Sequence, residues 1–187
     1  MISIIPEIKV MKRIYEVISL LIAFLLTLPT ISLADQFKVT RVYDGDTIMA
    51  EGHDVVIYVL LAGIDAPEIG SRKQERQQPY GQEAKRYLEK LILNKVVDTK
   101  GYGNGPYPSN YLIGEIYLKD ININIEMIKQ GLAEVCRESP PDGLAIAPYL
   151  EAERKAKAAG CGMWLLGEKY ISPRDWREMY KETYDVR

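Results

Sequence analysis

Residues 37–68 read FKVTRVYDGDTIMAEGHDVVIYVLLAGIDAPE, and the architecture follows from how this stretch alternates. Positions 37–50 alternate and are rich in β-branched residues, broken only by Asp44-Gly45-Asp46. Positions 54–62, DVVIYVLLA, form a nearly continuous apolar strand. The two predict a hairpin turning around Glu51-Gly52-His53. Residues 63–70 then read as a turn, and SRKQERQQP at 71–79 as a charged, solvated connection.

Downstream, Ala84, Tyr87, Leu88, Leu91 and Ile92 recur at i, i+3, i+4, i+7 and i+8, the spacing of a core-facing helix. Residues 93–99 and 113–118 are predicted strands, separated by GYGNGPYPSN at 101–110, an irregular loop by its glycines and prolines. A short helix is opened by Asn122 or Asn124 and closed by Gly131 as its C′ residue. A second runs over about 148–160, with Glu151–Lys155 and Glu153–Lys157 at i, i+4. SPRDWREMYKE at 172–182 predicts a final turn or two of helix, with Ser172 as cap and Pro173 at its first position. Strands, helix, strands and then helices make a small α+β domain with a mostly antiparallel sheet.

The 187 residues include 24 Lys+Arg, 26 Asp+Glu and two Cys, and 47% are hydrophobic. That is the composition of a globular protein; it excludes a disulfide-scaffolded miniprotein, a repeat array and a polytopic membrane protein. The formal charge of −2 also argues against holding nucleic acid by bulk charge.

Residues 17–34, VISLLIAFLLTLPTISLA, carry no charge, follow Lys12-Arg13 and end in Ser32-Leu33-Ala34. A basic start, an apolar centre and a small-residue exit predict a signal peptide over 1–34, with Met11 as an alternative start and a retained anchor as the competing reading. The expected destination is secreted or periplasmic, with no membrane span once the leader is removed. Removal takes three basic residues (Lys9, Lys12, Arg13) from 24 and two acidic ones (Glu7, Glu16) from 26, leaving 21 and 24, a net of −3. In an oxidising compartment Cys136 and Cys161 are expected to pair as a disulfide; two buried thiols are the alternative. A metal pair is disfavoured, because the single histidine, His53, is distant and sits at a predicted exposed turn.

Two acidic clusters flank the predicted strands: Asp44-Gly45-Asp46-Thr47 and Gly63-Ile64-Asp65-Ala66-Pro67-Glu68. Taken alone, the first also reads as an Asx-bonded turn and the second as a strand exit. If the hairpin brings them together, Asp44, Asp46, Asp65 and Glu68 converge and raise one another's pKa unless a cation is present. Hard oxygen ligands of this kind suit Ca²⁺ or Mg²⁺.

In this order and spacing the chain resembles the staphylococcal nuclease (thermonuclease) family. The matching stretches are V-x-D-G-D-T at 42–47, L-x-G-I-D-A-P-E at 61–68 and Y-G-Q-E-A-K at 80–85, then N-x-x-M-I-K-Q-G-L-A at 124–133 and A-E-R-K-A-K-A-A-G-C-G-M-W at 152–164. The resemblance implies an SNase-like OB-fold, a five-stranded antiparallel barrel capped by about three helices. It sets the domain at 35–170, with a helical extension at 171–187. It also implies a Ca²⁺ site from Asp46, Asp65 and the Ala66 carbonyl, with Asp44 and Thr47 in support, and Glu68 as the base that activates water.

The pattern breaks at the cations. Active members place one arginine eight residues before the motif's glutamate, where Leu60 stands, and another at the position of Tyr111 or, aligned on the tyrosine, Ile113. The nucleotide-flanking tyrosines of the family are also not evident in 134–139, EVCRES. An arginine on a transferring phosphoryl group is worth about 10³–10⁵ in rate. The expectation is therefore a degenerate nuclease that binds a partner, either single-stranded nucleic acid, weakly, or an envelope or extracellular protein, with little or no hydrolysis. A purely structural envelope module is a third reading. The alternative enzyme is a Ca²⁺-dependent endonuclease with a relocated cation, and Arg41, Arg72, Lys73 and Arg76 are the candidates considered, although they read more simply as solvated charges. The 13 tyrosines offer stacking surfaces or, more simply, packing residues, and Trp164 and Trp176 are expected to pin the terminal helices.

Overall fold

The computed structural model describes residues 11, 15–20, 35–70, 77–105, 110–137 and 140–181. Contacts divide the chain after Leu33. In the first unit residues 15–20 are helical and exposed, and the rest of the predicted leader, residue 11 apart, lies outside the described residues, as do Arg72, Lys73 and Arg76. Among the described residues no helix is long and apolar enough to cross a membrane.

In the second unit, β1 (Asp35–Val42), β2 (Thr47–Gly52) and β3 (Val55–Leu61) form a meander. It is joined by β5 (Val96–Asn104) on the free side of β1, and then by β6 (Leu112–Leu118). The predicted loop thus begins later than expected, since β5 continues to Asn104. The turn between β2 and β3 falls one residue later than expected. His53 and Asp54 both take positive φ (52° and 59°), the two-residue geometry whose twist matches the flanking strands.

The barrel closes where β3 meets β6, with Leu60 beside Ile113 and Leu61 beside Gly114. That pairing is parallel, the one exception in the otherwise antiparallel barrel that was expected, and the reason is counting. Around the ring β3-β2-β1-β5-β6, four successive antiparallel steps return the fifth strand to the direction of the first. A closed ring of five strands cannot alternate throughout. Asn124, fully buried, braces this seam: its amide donates to the carbonyls of Ala62 (2.9 Å) and Gly114 (3.1 Å), and its oxygen accepts the Ile116 N–H (3.0 Å).

Alternation fills the barrel with Val39, Ile48, Val59, Leu61, Val97 and Ile116, all buried. The helix α1 (Gly81–Ile92) lays Ala84, Leu88 and Ile92 against them, as its spacing requires. Each such Leu or Ile contributes roughly 1.5–3 kcal/mol on burial. α2 (Ile123–Lys129) is capped by Asn122, whose oxygen accepts the Ile125 N–H at 3.0 Å. α3 (Ala147–Ala158) buries Tyr149, Ala152 and Ala156. Its Glu153 is not a plain surface partner of Lys157, because the carboxylate is buried and also takes the Val135 N–H and Arg137. A two-residue ribbon, β4 (Ile64–Asp65) with β8 (Glu134–Val135), crosses the barrel mouth; β7 (Ile121–Asn122) pairs antiparallel with the end of β6.

After a 3₁₀ segment, Gly162–Lys169, the chain ends its described part in α4 (Pro173–Lys181), capped by the Ser172 hydroxyl accepting from the Asp175 N–H at 3.0 Å. Trp164 packs against Tyr170 and Trp176 against Tyr180, with the ring planes tilted. Cys136 and Cys161 are not bonded to each other, so the expected disulfide is not made here. The Cys136 N–H is bonded to the Gly63 carbonyl at the ribbon, whereas the Cys161 N–H is bonded to Ala156 and its backbone abuts Gly131.

Candidate functional site

The turn Asp44–Thr47 is built by its own first residue. The Asp44 carboxylate accepts the N–H groups of Asp46 (3.1 Å) and Thr47 (2.7 Å), which makes Asp44 a turn-former. Asp46 then points back across the barrel mouth, where it accepts the Thr47 hydroxyl (3.1 Å) and the Ala66 N–H (2.8 Å). The second bond ties the two acidic motifs together across 20 residues.

Glycines let these pieces touch. A Cβ on Gly45 would lie 2.6 Å from the Ala66 Cβ and 2.7 Å from the Ala84 Cβ. A Cβ on Gly81 would lie 2.5 Å from the Glu68 carbonyl oxygen. Buried Gln78 completes the frame: its side-chain oxygen accepts the Glu68 N–H (2.9 Å), and its amide donates to the Ile171 carbonyl (2.8 Å). The loop holding Glu68 is thereby fastened to the segment that leads into α4.

The result is a cavity of about 510 Å³ with Asp44, Asp46, Asp65 and Glu68 in its wall. Leu60, half-exposed, also faces it, so the position expected to carry the first arginine does address the site. Tyr111 turns its ring edge onto Tyr58, 5.9 Å away. Arg41 lies over the Tyr43 ring.

The cation comes from α4. Arg177 grips both oxygens of Asp65 through two parallel hydrogen bonds (2.9 and 2.8 Å), and its Nη1 also reaches Glu68 Oε1 at 2.7 Å. Arg137 and Arg174 line the same cavity. The expectation of a site without guanidinium groups is corrected: the three arginines come from the loop after β8 and from α4, outside the stretches in which the family's pattern places them. Glu134, paired with Asp65 across the ribbon, adds a fifth carboxylate and accepts the Tyr170 hydroxyl at 2.5 Å.

Burial, then the charge of Asp44, pushes the Asp46 carboxyl well above its ordinary value. Burial also raises Glu68, although Arg177 pulls the other way. Glu134 is raised by burial too, against the Tyr170 hydrogen bond. Arg177 is held charged beyond the ordinary arginine value, chiefly by its hydrogen bonds to Asp65. A Ca²⁺ ion at Asp46, Asp65 and the Ala66 carbonyl would need those oxygens free to face one point. Among the described residues no three His, Cys, Asp or Glu side chains are grouped to hold a metal, and Asp65 is fully engaged by Arg177. In this arrangement the residues do not fit the ion.

Residues 58–165, from β3 through the seam, the ribbon and α3, match the family described as staphylococcal nuclease homologue. The chain belongs to the staphylococcal nuclease family. Its relatives include an "Uncharacterized endonuclease" of Haemophilus influenzae, 34% identical over 146 residues covering 77% of this chain and 74% of that protein. A "Probable endonuclease LCL3" of Pyricularia oryzae is 34% identical over 70% of this chain and 52% of its own length. Another, from Phaeosphaeria nodorum, is 34% identical over 58% of this chain and 38% of its own. The chain therefore spans about half or less of these two fungal relatives. Staphylococcal nuclease domains are generally Ca²⁺-dependent and can bind nucleic acid. Arg177 lies beyond the matched residues, which is why the family pattern gave no sign of it.

Proposed function

We propose that this staphylococcal nuclease domain hydrolyses phosphodiester bonds in nucleic acid, with Arg177 taking the part left vacant at Leu60 and Tyr111. The observation that carries the reading is the guanidinium of Arg177 within 2.7–2.9 Å of Asp65 and Glu68, facing the cavity. A planar fork that holds a carboxylate through two bonds holds two phosphoryl oxygens in the same way. When a phosphodiester enters, Arg177 exchanges Asp65 and Glu68 for the phosphate and spreads its growing negative charge. Glu68, released and made more basic by burial, takes a proton from water. The new O–P bond forms, the ester P–O bond opposite breaks, and the leaving oxygen takes a proton from solvent.

A second reading, a binding domain without hydrolysis, is favoured by the same contact seen differently: Arg177 occupies the base itself. Purified full-length chain incubated with single-stranded DNA and RNA, with Ca²⁺ or with EDTA, beside Glu68→Gln, separates the two. Cleavage by the wild type that Glu68→Gln loses supports the enzyme; intact substrate in every arm sinks it. Export belongs to the same proposal and rests on the uncharged apolar run 17–34. It is tested by the N-terminal sequence of protein recovered outside the cytoplasm.

A further inference from the structure

The outer face of a barrel strand is ordinarily polar, yet here β3 presents Val56 and Tyr58 to solvent at 53% and 43% exposure, with Leu60 next on the same face. Three tyrosines gather there. Tyr58 lies between Tyr43 (ring centres 6.1 Å apart, planes 32° apart) and Tyr111 (5.9 Å, planes 86° apart). The guanidinium of Arg41 caps the row, 4.7 Å above the Tyr43 ring. None of these rings fills the core. The Tyr43 hydroxyl donates to the Met49 sulfur at 3.7 Å.

This row runs directly into the cavity. Tyr43 immediately precedes Asp44, with its N–H bonded to the Thr47 carbonyl (2.8 Å), and Leu60 of the cavity wall is two residues from Tyr58. A strand whose phosphate sits in the cavity therefore has its neighbouring nucleotide beside this row, with Tyr58 exposed, Tyr43 and Tyr111 half-buried, and the Arg41 guanidinium over the Tyr43 ring.

We propose that Tyr43, Tyr58 and Tyr111, with Arg41, form a stacking site for unpaired nucleobases that flank the phosphate held in the cavity. The inference rests on the reading of the cavity as a phosphodiester site. Unpaired bases offer π-faces to such rings, each worth about 1–3 kcal/mol, or roughly 5- to 150-fold in affinity. In a duplex those faces are occupied by neighbouring bases. Stacking also answers the weak side of the charge balance: the chain is net acidic, so affinity must come from local contacts and not from its overall field.

The test is a binding measurement in EDTA, by fluorescence anisotropy of a labelled oligo-dT of about 12 nucleotides. Full-length wild type, Tyr58→Ala, Tyr43→Ala and Tyr58→Phe are compared. Wild type is also offered an abasic strand of equal length and a duplex. Each alanine variant is expected to bind oligo-dT at least roughly fivefold more weakly, Tyr58→Phe to bind like wild type, and the abasic strand and the duplex to bind the wild type less tightly. Unchanged binding by Tyr58→Ala, equal affinity of wild type for oligo-dT and the abasic strand, or no binding by wild type overturns the site. The abasic comparison uses only wild-type protein, so a misfolded variant does not obscure the answer. Because the readout is binding, with the strand checked to be intact after each titration, loss of this site and loss of the proposed nuclease activity read out separately.

Discussion

Asp65 and Arg177, 112 residues apart in the chain, are joined by two parallel hydrogen bonds of 2.9 and 2.8 Å. The first belongs to the strand exit of an acidic motif, the second to a helix packed in from the far end of the domain. Their union supplies the site with positive charge. Under the proposed function, Arg177→Ala lowers phosphodiester cleavage by about 10³-fold or more, chiefly in kcat. Arg177→Lys recovers little of it, because a point charge cannot bridge two oxygens. Steady-state kinetics on an oligonucleotide substrate measure both. Cleavage by Arg177→Ala at the wild-type rate removes Arg177 from the chemistry.

The same contact sets Arg177 against a divalent ion, since a guanidinium and Ca²⁺ compete for the one carboxylate. Calorimetric titration is expected to show Ca²⁺ binding at least roughly tenfold more tightly to Arg177→Ala than to wild type, as a nearby positive charge is removed. Identical isotherms for the two proteins would mean that Arg177 and the ion do not share Asp65.

Gln78 links the two halves of the site and gives a further prediction. It is buried and bonded at one end to Glu68 and at the other to the carbonyl of Ile171, just ahead of α4. Gln78→Ala leaves both partners without it, at a cost of about 1–3 kcal/mol. Thermal unfolding should therefore shift downward, and kcat should fall with little change in KM, because Glu68 and Arg177 lose their mutual alignment. A variant that loses stability and keeps its kcat would mean that Gln78 serves only the fold.

These relationships show what the linear chain carries and what it hides. Asp46, Asp65 and Glu68 were legible because each sits in a short motif whose turn residues impose its geometry, and the bond from Ala66 N–H to Asp46 merely joins two such motifs. The core face of α1 was legible from spacing alone. Arg177 was not. Its helix is legible as a final turn or two capped by Ser172, but an ion pair across 112 residues leaves no local mark. Gln78 was hidden in a run of charged and amide residues that reads as solvated. The parallel seam was hidden for another reason: it follows from closing five strands into a ring, a property of the whole sheet and of no single segment.

Below the barrel seam, Glu115 makes acid stability a test of the fold. It is buried and accepts the hydroxyls of Tyr102 (2.6 Å) and Tyr149 (2.8 Å) and the amide of Asn122 (2.9 Å). Burial alone would raise its pKa, but these donors outweigh burial and hold it below the ordinary glutamate value. A depressed carboxylate stabilises the fold above its unfolded pKa of about 4.3, and that contribution is lost as pH falls through the folded value. Glu115→Gln is expected to cost about 1.5–3 kcal/mol at pH 7 and to show a shallower loss of stability below about pH 4.3. Urea unfolding at several pH values measures this. Parallel acid slopes for the two proteins would show that Glu115 is not the group responsible.

Leu60 offers the most direct check on how the cation was relocated. Its side chain faces the cavity, and its strand neighbour across the seam is Ile113. Being half-exposed, it can be lengthened without overfilling the core. In wild type, Leu60→Arg adds a further guanidinium to a cavity in which Arg177 already grips the carboxylates and Arg137 and Arg174 line the wall, so activity should change little. In an Arg177→Ala background the same substitution supplies the missing group and should recover at least roughly tenfold of the lost rate, as one arginine on a transferring phosphate is worth far more than that. Tyr111→Arg should recover nothing, because Tyr111 is turned onto Tyr58, outside the cavity wall. If Leu60→Arg fails to help the Arg177→Ala enzyme while Tyr111→Arg succeeds, the phosphate lies on the seam side of the barrel mouth and α4 holds the carboxylates for a different purpose.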